Sequence, residues 1–296
     1  MHWLILIVAA AWLFASPIPA LAQDNAACLA CHQVEGTKVT FPGGGELDVT
    51  INPDKFAASV HASFTCTTCH TRHADYPHPP RTANTARAYR VTAQEICAGC
   101  HADQQRDFDG GVHGGGVRMG LGDVPLCTTC HTAHAVIKPK SAAFRNSIPE
   151  VCGNCHADEA VMRRYGLRPV YQAYLEEFHG VTTRLYRIVT PLSPSPAAVC
   201  YDCHTAHRVL RVANPLSPVA PGNLLATCRQ CHTTAGRFFA TAWTEHRAPS
   251  LQYAPLVYLV QVFYLILIPA VVGVLALLTV LDLWHWAVTR WGGGGA

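Results

Sequence analysis

The stretch Cys127-Thr128-Thr129-Cys130-His131-Thr132-Ala133-His134 decides how this chain is organised. In a Cys-x-x-Cys-His sequence, the two thiols can add covalently to the vinyl groups of a porphyrin, and the adjacent histidine ligates the iron. The sequence contains seven such motifs, and together they use all fourteen cysteines. It therefore predicts seven covalently attached c-type haems and leaves no thiol for a disulfide, a zinc site or a nucleophile.

Each motif supplies two attachment cysteines and one proximal iron ligand. The predicted attachment residues are Cys28, Cys31, Cys66, Cys69, Cys97, Cys100, Cys127, Cys130, Cys152, Cys155, Cys200, Cys203, Cys228 and Cys231. The predicted proximal ligands are His32, His70, His101, His131, His156, His204 and His232.

Six of the motifs fall into three tandem units. Each unit has a lone histidine, then Cys-x-x-Cys-His-Thr-x-His (the first motif), then a plain Cys-x-x-Cys-His (the second motif). The lone histidines are His61, His113 and His179, and the histidines that end the extended motifs are His73, His134 and His207. The N-terminal motif resembles the second half of a truncated unit, and His246 resembles the first histidine of a unit that does not continue.

Seven irons each need a sixth ligand, and seven histidines occupy these repeat positions. The sequence therefore predicts bis-histidine coordination by His61, His73, His113, His134, His179, His207 and His246. His78, in Tyr-Pro-His-Pro-Pro, lies outside the repeat and is expected at the surface. Met119 is the one methionine considered as an alternative ligand, and since methionine would raise the potential, low potentials are predicted.

The second histidine of each extended motif has a geometric consequence. Three residues span at most roughly 10–11 Å, which is too short to pass round a porphyrin to its opposite face. His73, His134 and His207 are therefore predicted to ligate neighbouring haems and to hold haems in close pairs.

Composition limits the fold class. Half of the residues are apolar, but they concentrate at the termini, so the middle would struggle to build an ordinary side-chain core. We expect a mainly α and irregular fold packed around haems, with short helices, long loops, almost no sheet and one C-terminal transmembrane helix. Helices are predicted near residues 150–165 and 170–178, and glycine loops at 43–45 and 110–122. The formal charge of +3 would be reversed by the haem propionates, so nucleic acid is not an expected partner.

The termini predict export and anchoring. Residues 1–22 have the pattern of a secretory signal peptide with a mature start at Gln23, an uncleaved anchor being the alternative. A haem domain is predicted over 23–250, a transmembrane helix over 251–286 and a cytoplasmic tail over 287–296. Residues 254–281 contain no charged side chain, as a membrane helix requires. Bacterial haem c is attached outside the cytoplasm, so the haem domain is expected on the periplasmic side of the inner membrane.

With its paired Cys-x-x-Cys-His repeats, the chain resembles the multihaem cytochromes c over roughly residues 26–246. Seven haems and a C-terminal helix also resemble the haem c subunit of membrane-bound b/c-type quinol oxidoreductases of anaerobically respiring bacteria. That resemblance implies an integral cytochrome b or another quinone-reactive subunit as partner. Tetrahaem quinol dehydrogenases carry their helix at the N-terminus, a departure that puts direct quinol oxidation by this chain in doubt.

The sequence favours an electron-transfer subunit that connects this membrane partner with periplasmic redox carriers. A multihaem enzyme that reduces a small nitrogen or sulfur oxyanion at one open haem is the alternative, and a haem-rich scaffold or assembly factor is a third hypothesis. Filled coordination argues against catalysis, because each motif keeps its histidine and no acid–base constellation is evident.

Overall fold

The computed structural model describes residues 25–243 and 245–291. The predicted signal peptide, its cleavage site and the last five residues of the predicted tail lie outside these residues. The described part is mostly helical and irregular, as predicted. Its α-helices are α1 Asn25–His32, α2 Pro53–Ala57, α3 Cys66–Cys69, α4 Ala86–Thr92, α5 Gln94–Ala98, α6 Ala102–Asp109, α7 Val112–Arg118, α8 Cys127–His131, α9 Ala142–His156, α10 Glu159–Tyr165, α11 Val170–Glu176, α12 Phe178–Val189, α13 Cys200–His204, α14 Leu224–Arg229 and α15 Pro255–Trp291.

A two-stranded antiparallel sheet accounts for the strands within the described ranges. Strands β1 (Lys38–Thr40) and β2 (Glu46–Asp48) pair with Val39 opposite Leu47. The predicted glycine loop connects them, and Gly44 and Gly45 have φ of 105° and 88°, backbone values that suit residues without a side chain. The expectation of very little sheet is met.

Helix α9 organises the middle of the fold. Ser141 caps its N-terminus by accepting a hydrogen bond from the backbone N–H of Phe144 at 3.2 Å. Phe144 and Ile148 of this helix pack with Val199 in a small buried cluster. Helices α10, α11, α12 and α13 all contact α9, so this helix positions the surrounding motifs.

The predicted helix over residues 150–165 is wrong at both its start and its continuity. Helix α9 begins before it and continues through Pro149 to His156, and α10 starts separately after Asp158. The Asp158 side chain accepts from the backbone N–H of Val161 at 2.8 Å and begins a new helix, a role typical of aspartate.

Glycines lie inside two helices for one physical reason. The loop predicted at 110–122 contains helix α7, and the helix predicted over 170–178 ends at Glu176, with Gly180 inside the next helix, α12. A Cβ atom at Gly114 would lie 2.3 Å from the Phe108 carbonyl oxygen, and one at Gly180 would lie 2.0 Å from that of Tyr174. Both glycines are needed because the backbone passes close to another segment.

Helix α15 is long and apolar enough to cross a membrane. It has 37 residues and a mean hydropathy of 2.7 over its most apolar window, none of which is buried. It starts at Pro255 and continues to Trp291, five residues beyond the predicted end of the membrane segment. At about 1.5 Å per residue its length is about 55 Å, compared with about 30 Å for a bilayer core.

Candidate haem centres

The two kinds of motif in the sequence have two kinds of backbone. The first motifs begin helices of their own, α3, α8 and α13, each starting at the first cysteine. Second motifs lie towards the ends of helices, as in α9, which finishes at His156. The N-terminal motif also ends its helix, α1, at His32, and so has the backbone of a second motif.

Helical geometry gives each motif its chemistry. Cysteines three residues apart lie on one face of a helix, so their sulfur atoms can reach one edge of a porphyrin. The histidine follows directly and is carried on the same turn. The fourteen cysteine side chains are partly or fully exposed and none is disulfide-bonded, so they are accessible for thioether formation. The motifs therefore fit covalently bound haem c.

Consecutive motifs lie side by side in chain order. Burial and then the nearby Cys28 thiol raise the pKa of the Cys66 thiol. Cys97 and Cys127 are close enough to shift each other's pKa in opposite directions, and so are Cys152 and Cys200.

The remaining neighbours are close enough for their thiols to interact electrostatically. They are Cys69 with Cys97, Cys130 with Cys152, and Cys203 with Cys228. At each of the six junctions between consecutive motifs, thiols of the two motifs therefore lie within range of electrostatic interaction.

Amide side chains connect motifs across two of these junctions. Asn25 Oδ1 accepts from the backbone N–H of Cys66 at 2.8 Å, and Gln94 Oε1 accepts from that of Cys127 at 3.4 Å. Asn25 and Gln94 each stand three residues before the first cysteine of their own motif. Each amide therefore helps to fix the next motif in the chain, a contact that the sequence analysis missed.

Proximal and repeat histidines come together in pairs. The ring centroids are 6.1 Å apart for His61 and His101, 5.9 Å for His70 and His134, 6.1 Å for His131 and His207, 6.2 Å for His179 and His232, and 6.5 Å for His204 and His246. His113 lies close enough to His156 for the two rings to interact electrostatically.

These separations fit a metal between the rings. With metal–nitrogen bonds of about 2 Å, and a centroid about 1 Å beyond each nitrogen, two imidazoles on opposite sides of one metal have centroids about 6 Å apart. Ordinary aromatic contacts also fall in this range, so the distance alone is not specific. The systematic pairing of each of these proximal histidines with a repeat histidine is what fits bis-histidine haem.

The pairs follow two rules. A lone histidine lies by the second motif of its own unit, as His61 does by His101. The second histidine of an extended motif lies by the first motif of the preceding unit, as His134 does by His70. His246 lies by His204 and thus follows the second rule, although the repeat pattern predicted that it resembles a lone histidine.

Hydrogen bonds at the other ring nitrogen orient several of these imidazoles. His32 Nδ1 lies 3.0 Å from the Val49 carbonyl oxygen, and His246 Nδ1 lies 3.1 Å from Glu177 Oε1. Trp243 Nε1 donates to the other oxygen of Glu177 at 3.2 Å. Such contacts leave Nε2 for a metal and fix the direction of the ring. Glu177 was not identified from the sequence, where nothing distinguishes it from Glu176.

Burial favours the neutral, ligating form of the imidazoles. Burial and then the neighbouring histidines lower the pKa of His70 to about 4. The same causes, in the same order, lower the pKa values of His113 and His204 to about 4. Burial, the largest single effect, would raise the pKa of Glu177. The hydrogen bond with His246, the charge of His246, the hydrogen bond from Trp243 and the charge of His179 together outweigh burial and lower this pKa. Neutral imidazoles are the species that bind metals.

A strained turn recurs directly after two first motifs. Thr132 and Thr205 have φ of 61° and 64°, with ψ of 178° and 164°. This region is almost restricted to glycine, and a β-branched residue there costs on the order of 1–3 kcal/mol. The turn directs the chain away from the motif, towards the positions of His134 and His207 beside other motifs.

Three remaining candidates have distinct surroundings. Met119 is 70 % exposed at the end of α7. His73 lies 6.0 Å from His70 and 5.2 Å from His78, measured between ring centroids. His78 was expected at the surface, but it is partly buried and its ring lies 6.2 Å from that of His32. That expectation overlooked a contact between segments far apart in the chain.

A family model described as a doubled CXXCH motif matches residues 121–161. This range covers the motifs at Cys127 and Cys152 and supports a multihaem c-type cytochrome family, with covalent haem c and a role in electron transfer. No curated protein and no solved structure matches the chain.

Proposed function

We propose that this protein is a membrane-anchored heptahaem cytochrome c that carries electrons between a quinone-reactive membrane partner and periplasmic redox carriers. All seven motifs hold haem c, and each iron has two histidine ligands. The observation that carries the proposal is the pairing of five proximal histidines with repeat histidines at ring-centroid distances from 5.9 to 6.5 Å. The thiols of consecutive motifs also lie within range of electrostatic interaction along the whole series.

Bound haem c supplies one-electron redox chemistry. The chain's own residues attach it through thioethers, orient it through paired histidines and bring neighbouring sites together. Because His134 and His207 reach back to the preceding unit, the segment that carries each of them contacts two haem sites. Such cross-linking keeps neighbouring sites at fixed separation and suits an electron conduit better than an open catalytic site.

Helix α15 would anchor the haem domain. One helix cannot itself carry electrons across a bilayer, so the proposal requires an integral cytochrome b or other quinone-reactive subunit in the inner membrane. Export places the haem domain on the periplasmic side, with the chain end after α15 in the cytoplasm. His246, which lies beside His204, stands nine residues before Pro255 and the start of the membrane helix. Electrons would therefore enter the protein at the His204 centre and leave it at the Cys28 centre, or flow in the opposite direction.

The sharpest test of the proposed electron path removes one haem site from the series and follows which of the remaining haems are still reduced quickly. All natural thiols are used in attachment, so Ala248→Cys introduces a single free thiol on an exposed residue near α15. This thiol can be labelled with a photoreductant, and haem reduction followed at high dilution. In the otherwise unaltered protein, all haems should be reduced in one fast phase.

Two matched variants then locate the path. Cys127→Ala with Cys130→Ala removes the central site, and fast reduction should be limited to the three sites that follow it. Cys28→Ala with Cys31→Ala removes a terminal site, and all six remaining haems should still be reduced quickly. Equal behaviour of the two variants would overturn a path in chain order.

Axial saturation is tested separately. The protein is expected to contain seven haems, to show only low-spin ferric signals in its EPR spectrum and to bind no carbon monoxide when reduced. A stoichiometric high-spin haem that binds carbon monoxide would instead support the oxyanion-reducing enzyme and contradict this proposal.

A further inference from the structure

The N-terminal motif is the one site to which neither pairing rule assigns a ligand. It has the backbone of a second motif, and the rule for second motifs requires a lone histidine earlier in the same unit. The only histidine upstream of Cys28 in this sequence is His2, in the predicted signal peptide. Among the described residues, neither rule therefore gives the His32 site a sixth ligand.

His73 is likewise without a site under the second rule. Its equivalents His134 and His207 lie beside the first motif of the preceding unit. The only motif upstream of Cys66 in this sequence is the N-terminal one, which is of the second kind. His73 instead lies next to His70, a histidine that already has His134 at 5.9 Å.

His78 has the geometry that the His32 site requires. The two ring centroids are 6.2 Å apart, with planes inclined by 26°; the corresponding values for His70 and His134 are 5.9 Å and 27°. His78 Nδ1 lies 2.8 Å from the Asp75 carbonyl oxygen, as His32 Nδ1 lies 3.0 Å from that of Val49. Both rings therefore keep Nε2 free, and both are oriented by a backbone carbonyl.

We infer that His78, not the repeat residue His73, is the sixth ligand of the haem attached at Cys28 and Cys31. This assignment rests on the proposed heptahaem function and refines it at the exit end of the array. His73 then lies 5.2 Å from the ring of this ligand and packs against it without binding iron.

Single substitutions separate the two histidines. In full-length protein with all haems attached, His78→Ala should leave one haem high-spin, and the reduced protein should bind one equivalent of carbon monoxide. The matched variant His73→Ala should remain fully low-spin and bind none. His78→Met should restore a six-coordinate haem with the near-infrared band of sulfur-ligated iron, and only that haem's midpoint potential should rise.

The affected haem is identified by removing it. In the Cys28→Ala/Cys31→Ala background, His78→Ala should no longer produce a carbon monoxide-binding haem. A vacancy produced by His73→Ala, or a His78→Met protein without sulfur-ligated iron, would overturn the assignment while leaving the heptahaem function intact. A vacancy already present in the unaltered protein would instead overturn the proposed function.

Discussion

The two halves of the described chain before α15 differ in how much side-chain core they contain. Nine of the twelve buried apolar side chains in the described residues lie between Phe144 and Ala235, and only Phe41 and Ala86 lie before residue 100. The C-terminal half therefore has a small side-chain core around α9, whereas the N-terminal half has almost none. Since burial of apolar surface is the main stabilising contribution to folding, we expect the N-terminal half to depend more strongly on its haems.

Polar contacts reinforce this difference. Arg145 on α9 forms a two-pronged ion pair with Asp202, with distances of 3.1 and 2.8 Å. It also donates to the carbonyl oxygens of Ser195 at 2.9 Å and Ala197 at 2.9 Å. Arg145 thus connects α9 to helix α13, which carries the sixth motif, and to the segment that precedes α13. In the N-terminal half, the ion pair between Lys38 and Glu46 is largely exposed, and such pairs contribute little.

Removal of single haems should produce the largest difference between the halves. Cys28→Ala with Cys31→Ala should reduce amide protection over residues 25–70 by on the order of 100-fold, because few other contacts hold this region. Cys152→Ala with Cys155→Ala should affect α9 far less, since Phe144 and Ile148 remain packed. Hydrogen exchange of the two full-length variants measures this, and equal losses would show that the side-chain core has no protective role.

Loss of the arginine contacts should have the next largest effect. Arg145→Ala removes the cation beside Asp202, which keeps only its hydrogen bond from the Val199 N–H, and leaves two carbonyl groups unpaired in a mostly buried setting. It should lower the free energy of unfolding of the C-terminal half by about 2–3 kcal/mol. Arg163→Ala is the matched control, because its pair with Glu159 is exposed and should contribute at most about 0.5 kcal/mol. Chemical denaturation in detergent measures both free energies. Similar losses for the two variants would show that the contacts of Arg145 do not specially stabilise this half.

The carboxylate of Glu177, beside His246, should lower the midpoint potential of one haem. Glu177→Gln removes a negative charge and weakens the hydrogen bond that makes the imidazole more basic, so the midpoint potential of the Cys200 haem should rise. A rise of about 50 mV corresponds to roughly 1 kcal/mol for one electron. Potentiometric titration measures it. Glu176→Gln alters an exposed neighbour and should leave the potentials unchanged. An equal rise in this variant would show that the loss of any nearby negative charge, and not the hydrogen bond to His246, raises the potential.

The strained turn should give the smallest change. Thr132→Gly relieves a backbone conformation that costs a threonine energy but suits glycine, and should stabilise the protein by up to about 1 kcal/mol. Thr128→Gly, inside helix α8, should instead destabilise it by about 1 kcal/mol. Thermal unfolding measures the change in stability of each variant. A change in the same direction for both variants would show that backbone strain at Thr132 is not the cause.

Local chemistry explains which features could be predicted from the sequence. The Cys-x-x-Cys-His motifs and the apolar segment that forms α15 are recognisable because all their determinants are adjacent in the chain. The mainly helical, irregular fold class followed from a composition poor in core-forming residues. These predictions required no knowledge of which segments meet.

The features that were missed depend on contacts between distant residues. Gly114 and Gly116 were predicted as loop residues, but they lie in a helix that passes too close to other atoms for a side chain to fit. His78 lies close to His32 although 46 residues separate them. Neither the arrangement around Glu177 nor the position of His246 beside His204 follows from repeat spacing.

The two pairing rules have an evolutionary consequence. If each unit supplies a ligand to the unit before it and one to itself, an in-frame duplication of any whole unit would leave every iron coordinated. The new copy would serve its predecessor, and the original successor would serve the copy. His246 closes such a series in the way that terminal caps close other modular proteins. The number of haem sites could thus change in steps of two without any change in the contacts between units.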